Sequence, residues 1–416
     1  MSTQQIYISE NLPSLNQIDE DNTVFCLLNS NQYQDDKSKY AFILGVGVVH
    51  EMEILAPENA FNQLAAFQKK HFGTWLFAAL SYDLKNAVYP RLTSANMQLQ
   101  QSPLAHLFAA QSVYLSNHIS AGLLPEKTLV ANKIKLDMLQ ASVSKQAYID
   151  QVNHLKKHLS AGDIYEITYC IAFSLTDIIL DPIALYAKLN SLSPMPFSAL
   201  YKNDSQYVIC ASPERFLGKR ANRIFSQPIK GTRKRNDDPV LDEQEKLKLQ
   251  NDPKEIAENV MIVDLVRNDL TKSAKLGTIK VSELFGIHSF ANLHQMISTV
   301  EAEIKADCSI FECIENAFPM GSMTGAPKLR AMELIEEVEN TKRGLYSGSI
   351  GYIDPMGDFD FNVLIRSIFY DKNAKSLSFQ VGSAITLDAD PEKEYEECLL
   401  KAESILKALA KKKPLR

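Results

Sequence analysis

Strand-like runs come in groups in this chain, without regular alternation with helices, and that grouping narrows the fold more than any single motif. Runs with strand character lie at 166–175, 197–201, 207–211 and 216–225, then at 278–284, 295–304, 347–353, 359–370 and 376–384. A helical middle at 237–270 separates the two groups, and further helices are expected at 60–71, 144–161 and 391–411. Parallel strands need a long crossover, usually a helix, between each pair. Grouped strands therefore predict α+β with large antiparallel sheets rather than a doubly wound α/β fold. The first 120 residues read as short strands with the one helix at 60–71. A polar, Pro-containing connector, Leu123-Leu-Pro-Glu-Lys127, then precedes a change of pattern. The expected division is an N-terminal region at 1–125 and a main region at 140–412, together one intertwined globular unit.

Charge and composition exclude several classes of function. The net charge of -6 gives no basic footprint for nucleic acid. The longest apolar run, at 41–49, is far too short for a membrane helix, and the first residues show no charged segment followed by an apolar core. The six cysteines form no Cys-x-x-Cys pair and have no nearby histidine ligand pattern, so they read as reduced thiols of a cytoplasmic protein rather than a zinc site. No Gly-x-Gly-x-x-Gly and no Walker loop is present.

Three segments carry unusual chemistry. In Ser226-Gln-Pro-Ile-Lys-Gly-Thr-Arg233, Pro228 and Gly231 bracket Lys230 in a turn-like setting. A lysine held there away from bulk water can lose its proton and act as a nucleophile. The stretch 256–270 is apolar nearly all round yet contains Glu258, Asp264, Arg267 and Asp269, so it reads as a buried helix. Buried acids must pair internally with arginine or share a cation. In the last helix Asp390 caps and Pro391 starts, and Glu394, Glu397 and Lys401 share a face. Such a face is either simply solvated or, with the other acidic helix, supplies carboxylate oxygens to Mg²⁺.

The chain also resembles a known family, the chorismate-utilising enzymes, and within it the aminodeoxychorismate (para-aminobenzoate) synthase component I branch. The resemblance rests on Ser212-Pro-Glu-Arg-Phe216, the Lys230 segment, 258–269, Gly321-Ser-Met-Thr-Gly-Ala-Pro-Lys328, Arg343-Gly-Leu-Tyr-Ser-Gly348 and the Glu-rich last helix. Ser81-Tyr-Asp-Leu-Lys-Asn86 and Leu27-Leu-Asn-Ser30 look like looser elements of the same family. The resemblance implies two large antiparallel sheets packed together, with helices outside. It implies Mg²⁺ held by Glu258 and Glu397 with Glu394 beside them, the ion in turn holding the ring carboxylate of chorismate. Tyr346 and Arg366 would grip the enolpyruvyl carboxylate with backbone N–H groups of the loop Gly382-Ser383-Ala384, and Thr232, Thr324 and Lys401 would complete the substrate site. Glu214 would protonate the departing C4 hydroxyl. Lys230 would attack C2, and ammonia from a separate glutamine amidotransferase subunit would then enter at C4.

Within the family, anthranilate synthases carry a small residue where this chain has Lys230. Isochorismate and salicylate synthases use a water-activating lysine where it has Glu166. Gln295 stands where many relatives have a histidine, with His294 on the opposite face of the strand, and Ala384 replaces a glycine. Anthranilate synthase component I and a non-catalytic metabolite-binding homologue are the alternatives the sequence leaves open.

Overall fold

Alternate residues of one strand serve two different cores, and this explains the layering. In the strand Val24–Asn29, Val24 and Cys26 enter one apolar cluster while Phe25 and Leu27 enter the other. Ala199 and Leu200, and Val208 and Ile209, divide in the same way. A sheet apolar on both faces must be covered on both, and it is. The computed structural model describes residues 4–8, 12–33, 35–116, 122–125 and 136–410.

Among those residues the strands join into one continuous ladder. It starts at Glu166–Leu175 and passes through Ser376–Ile385, Ser367–Asp371, Gln206–Ser212 and Phe197–Asn203 to Val24–Asn29. It continues through Phe42–Ile54, Ala105–Ser116, Leu76–Leu80, Ser349–Ile353 and Phe359–Asn362. It ends with Arg215–Arg220, Arg223–Gln227, Leu293–Glu303 and Lys280–Ser289. Every pairing is antiparallel except that of Gln5–Ile8 with Ala105–Ser116. The α+β architecture is thus the expected one, with the two packed layers being halves of a single ladder. The larger cluster takes residues from both halves, and the helices Leu15–Asp21, Lys145–Ser160, Pro182–Leu192, Lys328–Val338 and Pro391–Leu409 cover the outer face of the first half. Where the ladder turns, the strand Phe42–Ile54 carries Gly47 at φ +68° and a register irregularity between Val48 and His50. A bulge bends and twists a strand, which lets one strand serve both layers.

Several boundaries depart from the sequence expectation. The helical middle is two helices, Pro239–Gln250 and Pro253–Thr271. Asp252 accepts from the N–H groups of Lys254 and Glu255, and Pro253 starts the second helix because it cannot continue the first. The run 216–225 is a hairpin with Ala221 at φ +51°, and 359–370 is two strands separated by a segment in which Arg366 has φ +53°. The helices Leu15–Asp21, Pro182–Leu192, Ile310–Ala317 and Lys328–Val338 were not anticipated from periodicity. The helix carrying Glu258 is not buried all round. Val260 is 44% exposed and Asp264 pairs with Arg267 on the surface, while Glu258, Asn259, Ile262, Val263, Val266 and Asp269 face inward. Of the connector, Leu123 is buried and accepts from the Leu15 N–H, while Glu126 and Lys127, like Lys411 and Lys412 at the end of the chain, lie outside the described residues. Among the described residues no helix is long and apolar enough to cross a membrane, and all six thiols are unpaired.

Candidate active site

Lys230 lies where the two ends of the ladder meet. Pro228 interrupts one strand, and the next, Ile229–Lys234, pairs irregularly with Leu293–Glu303 between Ile229 and Thr232. Gly231 adopts φ +85°, and a Cβ there would press on Leu249 and Glu255. The lysine therefore sits in a bulged strand, not a free turn, and the bulge re-aims its side chain. Lys230 is 8% exposed and its Nζ donates to Glu166 Oε1, from the first strand of the ladder. Burial works against the charge, but the carboxylates of Glu166, Glu258 and Glu214 outweigh it and raise the pKa of the amine above the ordinary lysine value. Burial among acids rather than among apolar groups thus favours the ammonium form of Lys230.

Glu214 precedes the strand Arg215–Arg220 and is fixed by its backbone, whose N–H donates to Ser212 Oγ and whose carbonyl accepts from Val363. Burial pushes its carboxyl group up to about 7, against the opposing pull of Ser322, Lys230 and the Ile229 backbone. A carboxylic acid poised there can hold or release a proton near neutrality. Ser322 belongs to a segment anchored by Lys328, whose Nζ donates to Asp269 Oδ2 (2.6 Å), Pro319 O (2.8 Å) and Ala317 O (3.1 Å).

A second acidic group lies between the two acidic helices. Glu258 and Glu394 are both buried, at 6% and 4% exposure. The Lys254 ammonium stands between them, 3.6 Å from Glu258 Oε1 and 3.4 Å from Glu394 Oε1. Glu258 Oε1 is buried without a hydrogen-bond partner, and burial holds that carboxyl group up at about 7. Glu394 also accepts from Ser383 Oγ, and Glu397 pairs with Lys401 at 2.7 Å. Among the described residues no three His, Cys, Asp or Glu side chains converge on one metal position. The orphaned oxygen of Glu258 and the facing carboxylate of Glu394, which the Lys254 ammonium bridges, nevertheless suit a hard divalent ion, which takes one or two carboxylates and keeps several waters.

The remaining predicted residues frame this space. Arg366 is held in its left-handed conformation and donates to the Lys401 carbonyl at 2.8 Å, with Tyr346 and Glu397 within electrostatic reach. Tyr346 is buried, 3.9 Å from Cys170 Sγ. Gly382, Ser383 and Ala384 lie in a strand rather than the expected loop, opposite Cys170, Tyr169 and Thr168. Ala384 has no positive φ, so its methyl group needs no accommodation by the backbone. The other edge of that strand is paired only as far as Phe379, and Lys401 Nζ donates to the Gly382 carbonyl at 2.9 Å. At Gly382 itself a Cβ would meet Cys170 Sγ at 2.4 Å. Thr324 is buried and its hydroxyl turns back to the Gly321 carbonyl (3.1 Å), while Thr232 is exposed at the rim, 3.5 Å from Gln295 Nε2. His294 faces away, bonded to Asp242 (2.9 Å) and Ser289 (2.8 Å).

Sequence reasoning did not single out Glu166 as the partner of Lys230, nor Lys254 or Ser322. A glutamate opening the otherwise uncharged and mostly apolar run Glu166–Leu175 was the available signal for the first. Comparisons with known proteins identify the family. A family profile described as chorismate binding enzyme matches residues 25–407. A putative aminodeoxychorismate synthase of Schizosaccharomyces pombe is 38% identical over 279 residues, 66% of this chain and 38% of that protein. The chloroplastic aminodeoxychorismate synthase of Arabidopsis thaliana is 41% identical over 263 residues, 62% of this chain and 28% of that protein. Anthranilate synthase component 1 of Thermus thermophilus is 36% identical over 270 residues, 65% of this chain and 58% of that protein. The chain thus spans well under two thirds of the length of these relatives. Among solved structures, anthranilate synthase component I from Streptococcus pneumoniae superposes with a TM-score of 0.76 at 21% identity, covering 90% of this chain and 93% of that one. With the family profile covering most of its length and the fold shared, this chain belongs to the chorismate binding enzymes.

Proposed function

We propose that this chain aminates chorismate to 4-amino-4-deoxychorismate, as an aminodeoxychorismate synthase component I supplied with ammonia by a separate glutamine amidotransferase. One observation carries the reading: Lys230 is buried against Glu166, with the Glu214 carboxyl group close enough to feel its charge. In this reading Lys230 passes its proton to Glu166, to which Nζ donates, and the freed amine forms a bond from Nζ to C2 of chorismate. The ring double bonds shift, and the C4–O bond breaks as Glu214 delivers its proton to the leaving hydroxyl, which departs as water. Ammonia then bonds at C4, the double bonds shift back and the C2–Nζ bond breaks, Lys230 leaving as the amine after regaining one proton while the new C4 nitrogen gives one up. Arg366 and Tyr346 orient the enolpyruvyl carboxylate, an arginine being suited to a carboxylate by its two parallel donors. Glu258 with Glu394 and Glu397 would hold Mg²⁺, which when bound neutralises the ring carboxylate of the substrate. Unpaired thiols throughout fit a reducing compartment, and the cytoplasm is the location proposed.

The test is the product formed from chorismate, Mg²⁺ and ammonium, resolved by chromatography. Aminodeoxychorismate is expected. Anthranilate with pyruvate would move the chain to the other branch, and no turnover of chorismate would overturn the proposal.

A further inference from the structure

The helix Ile310–Ala317 begins with a capping box in which Ser309 and Glu312 satisfy each other's backbone N–H groups. The residue before such a cap usually packs on the fourth helical residue as a hydrophobic staple. Here both staple positions are cysteines, Cys308 and Cys313, with their sulfurs 3.3 Å apart. Cys313 is buried in the larger core, whereas Cys308 is part-exposed and lines a surface groove of about 440 Å³ with Ser309, Ile310 and Lys69. The groove gives a small oxidant a route to one thiol and the staple holds the second thiol against it. Nothing in the proposed chemistry uses either residue.

We propose that Cys308 and Cys313 form a peroxide-oxidisable dithiol site that closes reversibly to a disulfide. Cys308 Sγ, as thiolate, attacks one oxygen of a hydroperoxide. The O–O bond breaks, a sulfenic acid forms on Cys308, and the other oxygen leaves as water or alcohol. Cys313 Sγ then attacks that sulfur, the S–S bond forms, and the S–O bond breaks with release of a second water. The two thiols lose two electrons and the hydroperoxide gains them. The thiol of Cys308 is held below its ordinary pKa, first by its hydrogen bond with Cys313, which favours the attacking form. Closing the bond requires the sulfurs to approach from 3.3 Å to about 2.05 Å, a movement within the reach of a χ1 adjustment at the part-exposed partner. The far end of the same helix runs through Ala317 into Met320, Gly321 and Ser322, which line the pocket of Glu214. The bond would therefore pin the entry of a helix whose exit shapes the candidate site.

The intact chain is treated with hydrogen peroxide, quenched, unfolded, alkylated with iodoacetamide and digested with trypsin. The peptide 306–328 holds both thiols. It is expected two hydrogens lighter and free of label, and dithiothreitol given before alkylation should restore both labels. In Cys308→Ser, Cys313 should carry its label in full after peroxide. Full labelling of both thiols in the treated wild-type chain would overturn the proposal. So would irreversible oxidation of Cys308 beside a fully labelled Cys313.

Discussion

Two buried lysines, Lys230 and Lys328, have the same 8% exposure, but their surroundings differ in a way that fits the first to the proposed chemistry and the second to a structural role. Lys328 spends its three N–H donors on Asp269 and on two backbone carbonyls. Burial there lowers its pKa despite the paired acid, and every acceptor is fixed by the fold. Lys230 has one hydrogen-bond partner among the described residues, Glu166, and sits in an excess of negative charge that raises its pKa. One lysine completes a closed set of partners. The other retains donors and also feels Glu214 and Glu258, whose carboxyl groups burial holds above their ordinary pKa. Burial is common to both lysines; unfinished pairing is what fits Lys230 to the proposed role.

The comparison breaks first at turnover. Lys230→Ala should reduce kcat at least as severely as Glu214→Gln, for which a positioned proton donor implies a loss of roughly 10²–10⁴-fold. Steady-state kinetics with ammonium as nitrogen donor reads both, and mass spectrometry should find a chorismate-derived adduct on the wild-type chain but not on Lys230→Ala. Full activity in Lys230→Ala would show that both lysines are structural. The pH profile sharpens the point. The carboxyl group of Glu214 is raised to about 7, so its acid form predominates below that pH and is lost as pH rises through it. Activity should fall along that limb in the wild type and in Glu258→Gln, and the limb should vanish in Glu214→Gln.

Lys328→Met should act on stability instead. It strands Asp269 as a buried charge without its cation, a loss of about 3–5 kcal/mol in urea unfolding, with kcat per folded molecule little changed. A large kcat effect at unchanged stability would reverse the assignment. Arg366→Ala should raise KM by the equivalent of about 1.5–3 kcal/mol, the worth of a hydrogen bond to a charged group. Unchanged KM and kcat would remove Arg366 from the substrate site. At the small end, Arg267→Ala on the exposed face of the Glu258 helix should change stability by no more than about 0.5 kcal/mol, because its pair with Asp264 is solvated.

The sequence carried the architecture further than the electrostatics. Grouped strands were enough for an antiparallel α+β fold, because period-two burial leaves its mark residue by residue. Caps were legible for the same local reason, as Asp390 shows by accepting from the N–H groups of Glu392 and Lys393 at the start of the last helix. The charge state of Lys230 was not legible. It depends on Glu166, 64 residues away in the chain, and nothing local announces that the two ends of a long ladder meet. The all-round burial expected of the Glu258 helix failed for a related reason. Periodicity reports how apolar a helix is, while exposure of Val260 depends on which neighbours the fold supplies.

That meeting of ends has a consequence for cooperativity. The ladder is open in its hydrogen bonds, and side chains at the site fasten its first strand to its last members, as a clasp fastens a belt. Anything that binds across the clasp favours the closed belt over every opened form, so its binding free energy is felt by the whole chain rather than by one lobe. Chorismate, if it bridges Lys230 and Glu166 to the Arg366 side, should delay the melting of strands far from itself, and the melting curve should sharpen as well as shift.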